Sequence, residues 1–478
     1  MTANRSIEIP ESWLSIELGE VIDYGKTTKV EPEAISPETW VLELEDIEKD
    51  SSRLIQRFTF ADRKSKSTKN VFKTGDVLYG KLRPYLNKVL FADSDGVCTT
   101  EIVPLQSNTA VHGRYLFHWL RHPTFVAYVN QVSHGVNMPR LGTDAGKKAP
   151  FILTPMPEQK RIADKLDTVL ARVDACRERL DRVPAILKRF RQSVLAVATA
   201  GKLTEDWRRT TGLQNDSSED GRLPDGWLEL TIGTLTTDLR YGTSKKCDLS
   251  PRGRAVLRIP NIGEHGKIID GDLKYAEFEA SEVSKLALRA GDLLVVRSNG
   301  SVDLVGKTGL VTELQTGMLF AGYLMRLRVD PKVALPAYVQ MCLSSPAQRQ
   351  RIESTSRSTS GVNNINSDEL RALPVLMPSL DEQLEITRRV ELLFAYADRL
   401  EKRFASARDA ADRFTPALLA KAFRGELVPQ DPNDEPAAEL MKRLARQRSG
   451  ENKTAKGSRT KRVAPVPLSD EEEPTSVE

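Results

Sequence analysis

The chain is poor in cysteine, has little net charge and lacks long apolar runs, and each shortage removes a class of protein. Cys98, Cys176, Cys247 and Cys342 are scattered without a Cys-x-x-Cys pair, so neither a disulfide framework nor a zinc site is expected. A formal charge of +4 over 478 residues allows nucleic-acid binding only where basic residues cluster locally. The opening MTANRSIEIPESW has no apolar signal-peptide core, and no run is long enough to cross a bilayer. A soluble cytoplasmic protein with no membrane association is expected. The 40% hydrophobic content suffices for two or three cores.

Catalytic motifs are missing as well. NGSVDLVGKTGLV, from Asn299 to Val311, ends like a nucleotide-binding loop. A phosphate cradle needs four residues between its first Gly and the Gly-Lys-Ser/Thr, yet Ser301 to Val305 put one too many between Gly300 and Gly306. A loop between two strands is the plainer reading. His118 and His122 stand one helical turn apart, but Trp119 occupies the place of the general-base Glu of a zinc protease. Asp272-Leu273-Lys274 resembles the acidic-x-Lys pair of Mg-dependent nucleases. Such triplets are common by chance, and no second copy exists. No Asn/Asp-Pro-Pro-aromatic motif of an amino-methyltransferase occurs. No metal ligand or catalytic residue is assigned.

What is present is a repeat. PEQKRIADKLDTVLARVDACRERL and DEQLEITRRVELLFAYADRLEKRF align without a gap. One register pairs Glu158 with Glu382, Gln159 with Gln383, Phe190 with Phe414, and Gly201 with Gly425. Apolar residues follow spacings of four and three: Ile162, Leu166, Val169, Val173, Cys176, Leu180, Val183, Leu187, Phe190, Val194 and Val197. The second copy gives Ile386, Val390, Leu393, Ala397, Leu400, Phe404, Ala407, Ala411, Phe414 and Leu418. A sustained 3.5-residue period predicts coiled-coil helices, and the economical partner of each copy is the other. Pro184 should kink or split the first helix. Gly201 and Gly425 stand where helix-terminating glycines belong.

Each helix follows a region of short β-rich and helical runs, predicting compact mixed α/β domains. Both regions open on a Trp, start a strand with Gly-Asp (Gly75-Asp76, Gly291-Asp292) and later show Gly-Val-Asn. The expected divisions are 1–154, a helix over 155–204, a polar linker over 205–222, 223–378, a helix over 379–430, and a disordered charged tail over 431–478. Loops carry the candidate DNA contacts. Lys81, Arg83, Asn87 and Lys88 lie between two strands of the first region. Arg297, Asn299 and Lys307 lie in the matching loop of the second. Asn137 and Arg140, and Ser360, Asn363 and Asn364, lie in or beside the Gly-Val-Asn segments. Arg and Lys suit guanine O6/N7 and Asn suits adenine N6/N7, while Lys and Ser can hold phosphates. The plainer alternative is that any exposed loop carries such residues.

Domain, long helix, domain, long helix resembles the specificity subunit of type I restriction-modification enzymes. PEQKRIADKLDTVLARVD, ILKRFRQSVLAVATAGKLTEDWR, VELLFAYAD and LLAKAFRGEL are similar to its enterobacterial type IA branch. The resemblance implies an α+β protein with two mixed α/β target-recognition domains separated by two long antiparallel coiled-coil helices, a pseudo-twofold internal repeat. It implies a non-catalytic subunit whose domains each read half of a bipartite site in double-stranded DNA. The helices would dock two methyltransferase subunits, with charged faces such as Lys165, Arg172, Arg389 and Arg399 as candidate docking surface. Two motor-nuclease (restriction) subunits complete the enzyme. S-adenosylmethionine, ATP and Mg²⁺ would belong to those partners, with no cofactor on this chain. The alternatives are a stand-alone Mg-dependent nuclease using Asp272 and a coiled-coil interaction scaffold.

Overall fold

The computed structural model describes residues 9–135, 137–212, 223–359 and 362–446. They form two compact units. The first takes residues up to Arg179 and those from Ala407 onward, and the second is Leu180–Ser406. The long helices are thus shared between the units, where sequence suggested separate pieces.

In the first unit, Leu14–Glu17 pairs antiparallel with Pro150–Leu153 and ties the start of the domain to its end. Between them lie a five-stranded sheet and a three-stranded sheet, the latter ordered Val89–Phe91, Val77–Gly80, Ile102–Leu105. The second unit repeats the closing pair, with Leu228–Thr231 against Pro374–Met377. Its main sheet runs Thr236–Tyr241, Leu324–Val329, Leu293–Val296, Thr308–Leu310. The Gly-Asp signatures serve one purpose in both. Gly75 and Gly291 take φ of 90° and 88°, a region open chiefly to glycine. Asp76 and Asp292 then accept the backbone N–H of Lys73 and Arg289, both at 2.8 Å.

Each unit is fixed to a long helix by the same bonds. The indole N–H of Trp13 donates to Glu158 at 2.8 Å, and that of Trp227 donates to Glu382 at 3.0 Å. The Gln159 amide donates to the carbonyls of Ala110 and Thr154 and accepts from the N–H of His112. Gln383 does the same with Val333, Pro378 and Leu335. Tyr115 and Tyr338 each donate their hydroxyl to a strand carbonyl, Ile152 and Leu376, at 2.8 Å.

Pro184 splits the first helix into Met156–Asp181 and Val183–Thr199, and stands in the first turn of the second piece, where its missing N–H leaves no bond unmade. Leu380–Ala422 runs through 43 residues, carrying Pro416 inside. Gly201 and Gly425 follow their helices with φ of 75° and 80°. In the first unit Ile162, Leu166 and Leu418 are buried in one cluster with Val169 packed on it, and Val173 is half-buried. In the second, Leu187, Ile386 and Val390 are buried, Phe190 and Leu393 pack on the core, and Leu180, Leu400 and Phe404 are half-buried. Arg191 meets Asp398 at 2.7 Å and Glu401 at 3.0 Å, while Arg389 further back reaches the Leu203 carbonyl and Asp206. These contacts descend one strand of sequence as they climb the other, so the helical stretches of this unit pass antiparallel.

Three expectations need correction. Phe414, placed on the seam, is 45% exposed. Nearby, Arg177 donates to the Ala411 carbonyl at 2.8 Å and approaches Asp412, so a polar bridge stands where an apolar contact was expected. Glu205–Thr210 is a helix, not linker, because buried Arg208 pairs with Glu382 and donates to the Gly201 carbonyl. The tail does not lose order at residue 431. Residues 437–446 are helical and bury Ala437, Leu440 and Leu444 in the first unit's core, an amphipathic spacing hidden by the surrounding charge. Residues 447–478 and most of the expected linker, 213–222, lie outside the described residues.

Candidate nucleic-acid interface

The structure brings the two candidate segments of each unit together, in matching register. In the first unit Leu82 bridges Arg140, and Arg140 bridges His134. In the second, Ser298 pairs with Asn364 and Asn299 with Asn363, with Arg357–Thr359 on the far side. Lys81 donates its N–H to Glu101 at 3.0 Å and accepts from Leu141 at 3.0 Å. Arg297 donates to Tyr323 and accepts from Ile365, both at 2.9 Å. Lys81 and Arg297 therefore share one backbone slot, Glu101 and Tyr323 a second, and Arg140 and Asn364 a third. Arg83, two residues past the slot, has Asn299 as its structural counterpart and not Arg297.

The first loop is held in an unusual conformation. Arg83 and Asn87 take φ of 49° and 47°, bracketing the turn Pro84–Leu86 that leaves Tyr85 49% exposed. Left-handed backbone at two non-glycine residues is costly and concentrates at functional positions. The Arg83 N–H donates to the Pro139 carbonyl at 2.7 Å, and its side chain is exposed, as is Asn137. Two candidates are engaged internally. Lys88 donates to the Leu44 carbonyl at 2.7 Å, and burial lowers its pKa. Arg140 pairs with Glu101 at 3.1 Å.

In the second unit Arg297 lies over the Tyr241 ring, 4.6 Å from its centroid. Asn299 accepts from the Ser301 N–H, Asn363 donates to the Gly300 carbonyl, and Asn364 to that of Val362. Ser360 lies outside the described residues. Lys307, the residue that mimicked a phosphate-loop lysine, pairs with Glu264 at 2.7 Å. The segment around it is a strand–turn–strand loop, with Thr308–Leu310 extended where an NTPase would begin a helix. Tyr85, Tyr241, Tyr323 and Glu101 were missed by sequence. Glu101 and Tyr323 each immediately precede a strand, EIVPL and YLMRL, and aligning those strands would have exposed the slot. Tyr241 has no local signature.

The other candidates are structural. His118 is buried with its Nε2 2.9 Å from Asp167. His122 stacks on Trp119 and accepts the Thr124 N–H, and burial lowers its pKa to about 4. Asp272 is taken by Arg258, which donates to its carboxylate at 2.9 Å and to its carbonyl at 2.7 Å. Among the described residues no three His, Cys, Asp or Glu side chains converge to hold a metal, and no helix is long and apolar enough to cross a membrane.

Each of the two α/β units brings two polar loops into one bridged pair and is anchored to a long helix, and chains similar to this one are DNA-specificity subunits. The family described as the type I restriction modification DNA specificity domain matches residues 10–185. The EcoKI specificity subunit of Escherichia coli K12 is 36% identical over 327 residues, 68% of each chain. The StySPI specificity subunit of Salmonella potsdam is 33% identical over 369 residues, 74% of this chain and 76% of that one. The crystal structure of the HsdS subunit from Thermoanaerobacter tengcongensis shares the fold, with a TM-score of 0.55 at 20% identity, covering 89% of this chain and all of that one. A chain solved in work on assembly and conformational transition of the type I R-M system gives a TM-score of 0.65 at 19% identity, over 88% of this chain and 100% of that one. The chain belongs to the type I restriction enzyme specificity subunits. It is a DNA-recognition component and not an enzyme.

Proposed function

We propose that each unit reads one half of a bipartite, asymmetric site in double-stranded DNA, and that the long helices set the gap and dock two methyltransferase subunits. Two restriction subunits complete the complex in the cytoplasm, and these partners use S-adenosylmethionine, ATP and Mg²⁺. The helices act as an antiparallel coiled-coil spacer, and the two units are copies under a pseudo-twofold. The matching bonds of Trp13 and Trp227 and of Gln159 and Gln383 support that reading. The observation that carries the assignment is the slot shared by Lys81 and Arg297. One backbone frame holds different side chains in the two units, as two readers of two different half-sites require. Major-groove segments one duplex turn apart are about 10 bp centre to centre, so the target is two short blocks around an unread gap. Mapping methylated adenines in cells with and without the gene tests this. A motif of two blocks that vanishes with the gene is expected, and one continuous motif overturns the two-reader reading.

A further inference from the structure

We propose that Tyr241 is a positioning residue that holds Arg297 ready to read a guanine in the half-site of the second unit. The proposal rests on the reading above and adds to it one base and one residue. Arg297 is pinned on both sides of its backbone, by Tyr323 and by Ile365, each at 2.9 Å. Its guanidinium lies 4.6 Å from the Tyr241 ring centroid. The ring is itself fixed, because the Tyr241 hydroxyl accepts the Ser367 N–H at 3.0 Å.

What Arg297 lacks matters as much. Arg240 and Arg326 both hold Asp238, Arg328 holds Asp292, and Arg258 holds Asp272. Arg297 has no carboxylate among the described residues, and its Nε is buried without a hydrogen-bond partner. A carboxylate would compete for both prongs of the fork, whereas a ring face holds the plane and leaves the donors free. In the major groove guanine presents two acceptors, O6 and N7, to which such a fork bonds bidentately. A guanidinium already held flat loses less side-chain freedom on meeting them.

The first unit offers a contrast. Its slot holds Lys81, a compact charge without a planar fork, and its second slot holds Glu101, paired with Arg140. The ring-held guanidinium and the guanine it meets are therefore assigned to this slot of the second unit alone.

The test uses the complex with methyltransferase and duplexes carrying every single-base change across the site, at two salt concentrations. In the second half-site one G·C pair should matter to the wild type by about ten- to a hundredfold. Arg297→Ala and Arg297→Lys should abolish that preference. Tyr241→Leu should lower it several-fold at that pair only, while Tyr241→Phe, which keeps the ring face and loses only the Ser367 anchor, should lose less than the leucine variant. Tyr241→Leu/Arg297→Ala should be no worse than Arg297→Ala alone. Tyr241→Gln, also without a ring, replaces the leucine variant if that does not fold. A wild-type complex that binds all duplexes alike overturns the reading of the unit itself. Full discrimination in Tyr241→Leu, or equal weakening on every duplex, overturns only the positioning role. A loss in Arg297→Ala that changes the salt slope and no base preference makes it a phosphate contact, and overturns the guanine assignment.

Discussion

In each unit a buried tryptophan N–H meets a buried glutamate, Trp13 with Glu158 and Trp227 with Glu382, yet only Glu382 is also met by an arginine. Arg208 and the Thr204 hydroxyl engage one Glu382 oxygen while Trp227 takes the other. Glu158 has Trp13 on one oxygen, and its other oxygen is buried without a partner. The counterpart of Arg208 in the repeat is Pro432, and Arg161 on the same helix is drawn to Asp434 at 2.6 Å. The same joint is thus a neutralised ion pair in one unit and, in the other, a carboxylate that no arginine contacts directly. At the loops the difference is of another kind: Lys81, Glu101 and Arg140 against Arg297, Tyr323 and Asn364, on one backbone frame. Differences at the joint bear on stability, and differences at the loops, under the function proposed above, bear on what is read.

The joint predicts the largest effects. Removing one member of a buried pair leaves the other charge uncompensated, at a cost of about 3–5 kcal/mol. Glu382→Gln or Arg208→Ala should therefore lower the unfolding midpoint sharply, and Glu158→Gln should not. A large loss in Glu158→Gln measured by denaturant unfolding would erase the contrast between the joints.

Acidity sharpens it. Burial raises the Glu158 pKa above its ordinary 4.5, with the Trp13 N–H and Arg161 opposing. The folded unit then binds that proton more tightly than the unfolded chain, so stability is lost as pH rises from 4.5 through the raised value. Glu158→Gln should remove that slope, seen as unfolding midpoints across the acid-to-neutral range.

Next in size is the part that should be alike. Gln159→Ala and Gln383→Ala each leave buried backbone groups without their amide, at about 1–3 kcal/mol. Both should destabilise by similar amounts, and strongly unequal losses would show that the two joints are not copies.

The loops follow. Arg83→Ala should relax base preference in the first half-site only, by about 1–3 kcal/mol at one position if the contact is bidentate. A change in the second half-site, measured on single-base variants, contradicts one reader per half. Lys307→Gln should have the smallest effect. Lys307 already pairs with Glu264, so base preference should hold and the salt slope change by about one at most.

Periodicity and repetition revealed the architecture because both are carried by many residues at once. Spacing alone marked Ile162, Leu166, Ile386 and Val390 as buried, though Val197 and Phe414 on the same spacing are exposed, and Pro184 announced its own break. Three features were illegible for local reasons. Residues 437–446 hide three buried apolar positions among lysines and arginines. Arg208 reads as a solvated charge until Glu382, far along the chain, is brought to it. Tyr241 acquires its meaning only beside Arg297, a neighbour supplied by the sheet and not by sequence. The loops were found as loops, but their pairing of slots was not, because Arg83 and Arg297 look alike as letters while Lys81 is the one that shares the backbone position.

Gln159 and Gln383 grip main-chain atoms: the carbonyls of Ala110 and Thr154 and the N–H of His112 in one case, those of Val333, Pro378 and Leu335 in the other. A clamp on main chain does not inspect side chains. The side chains of the clamped residues can therefore change without loosening the clamp, so the domain's sequence can diverge while its joint to the helix stays the same.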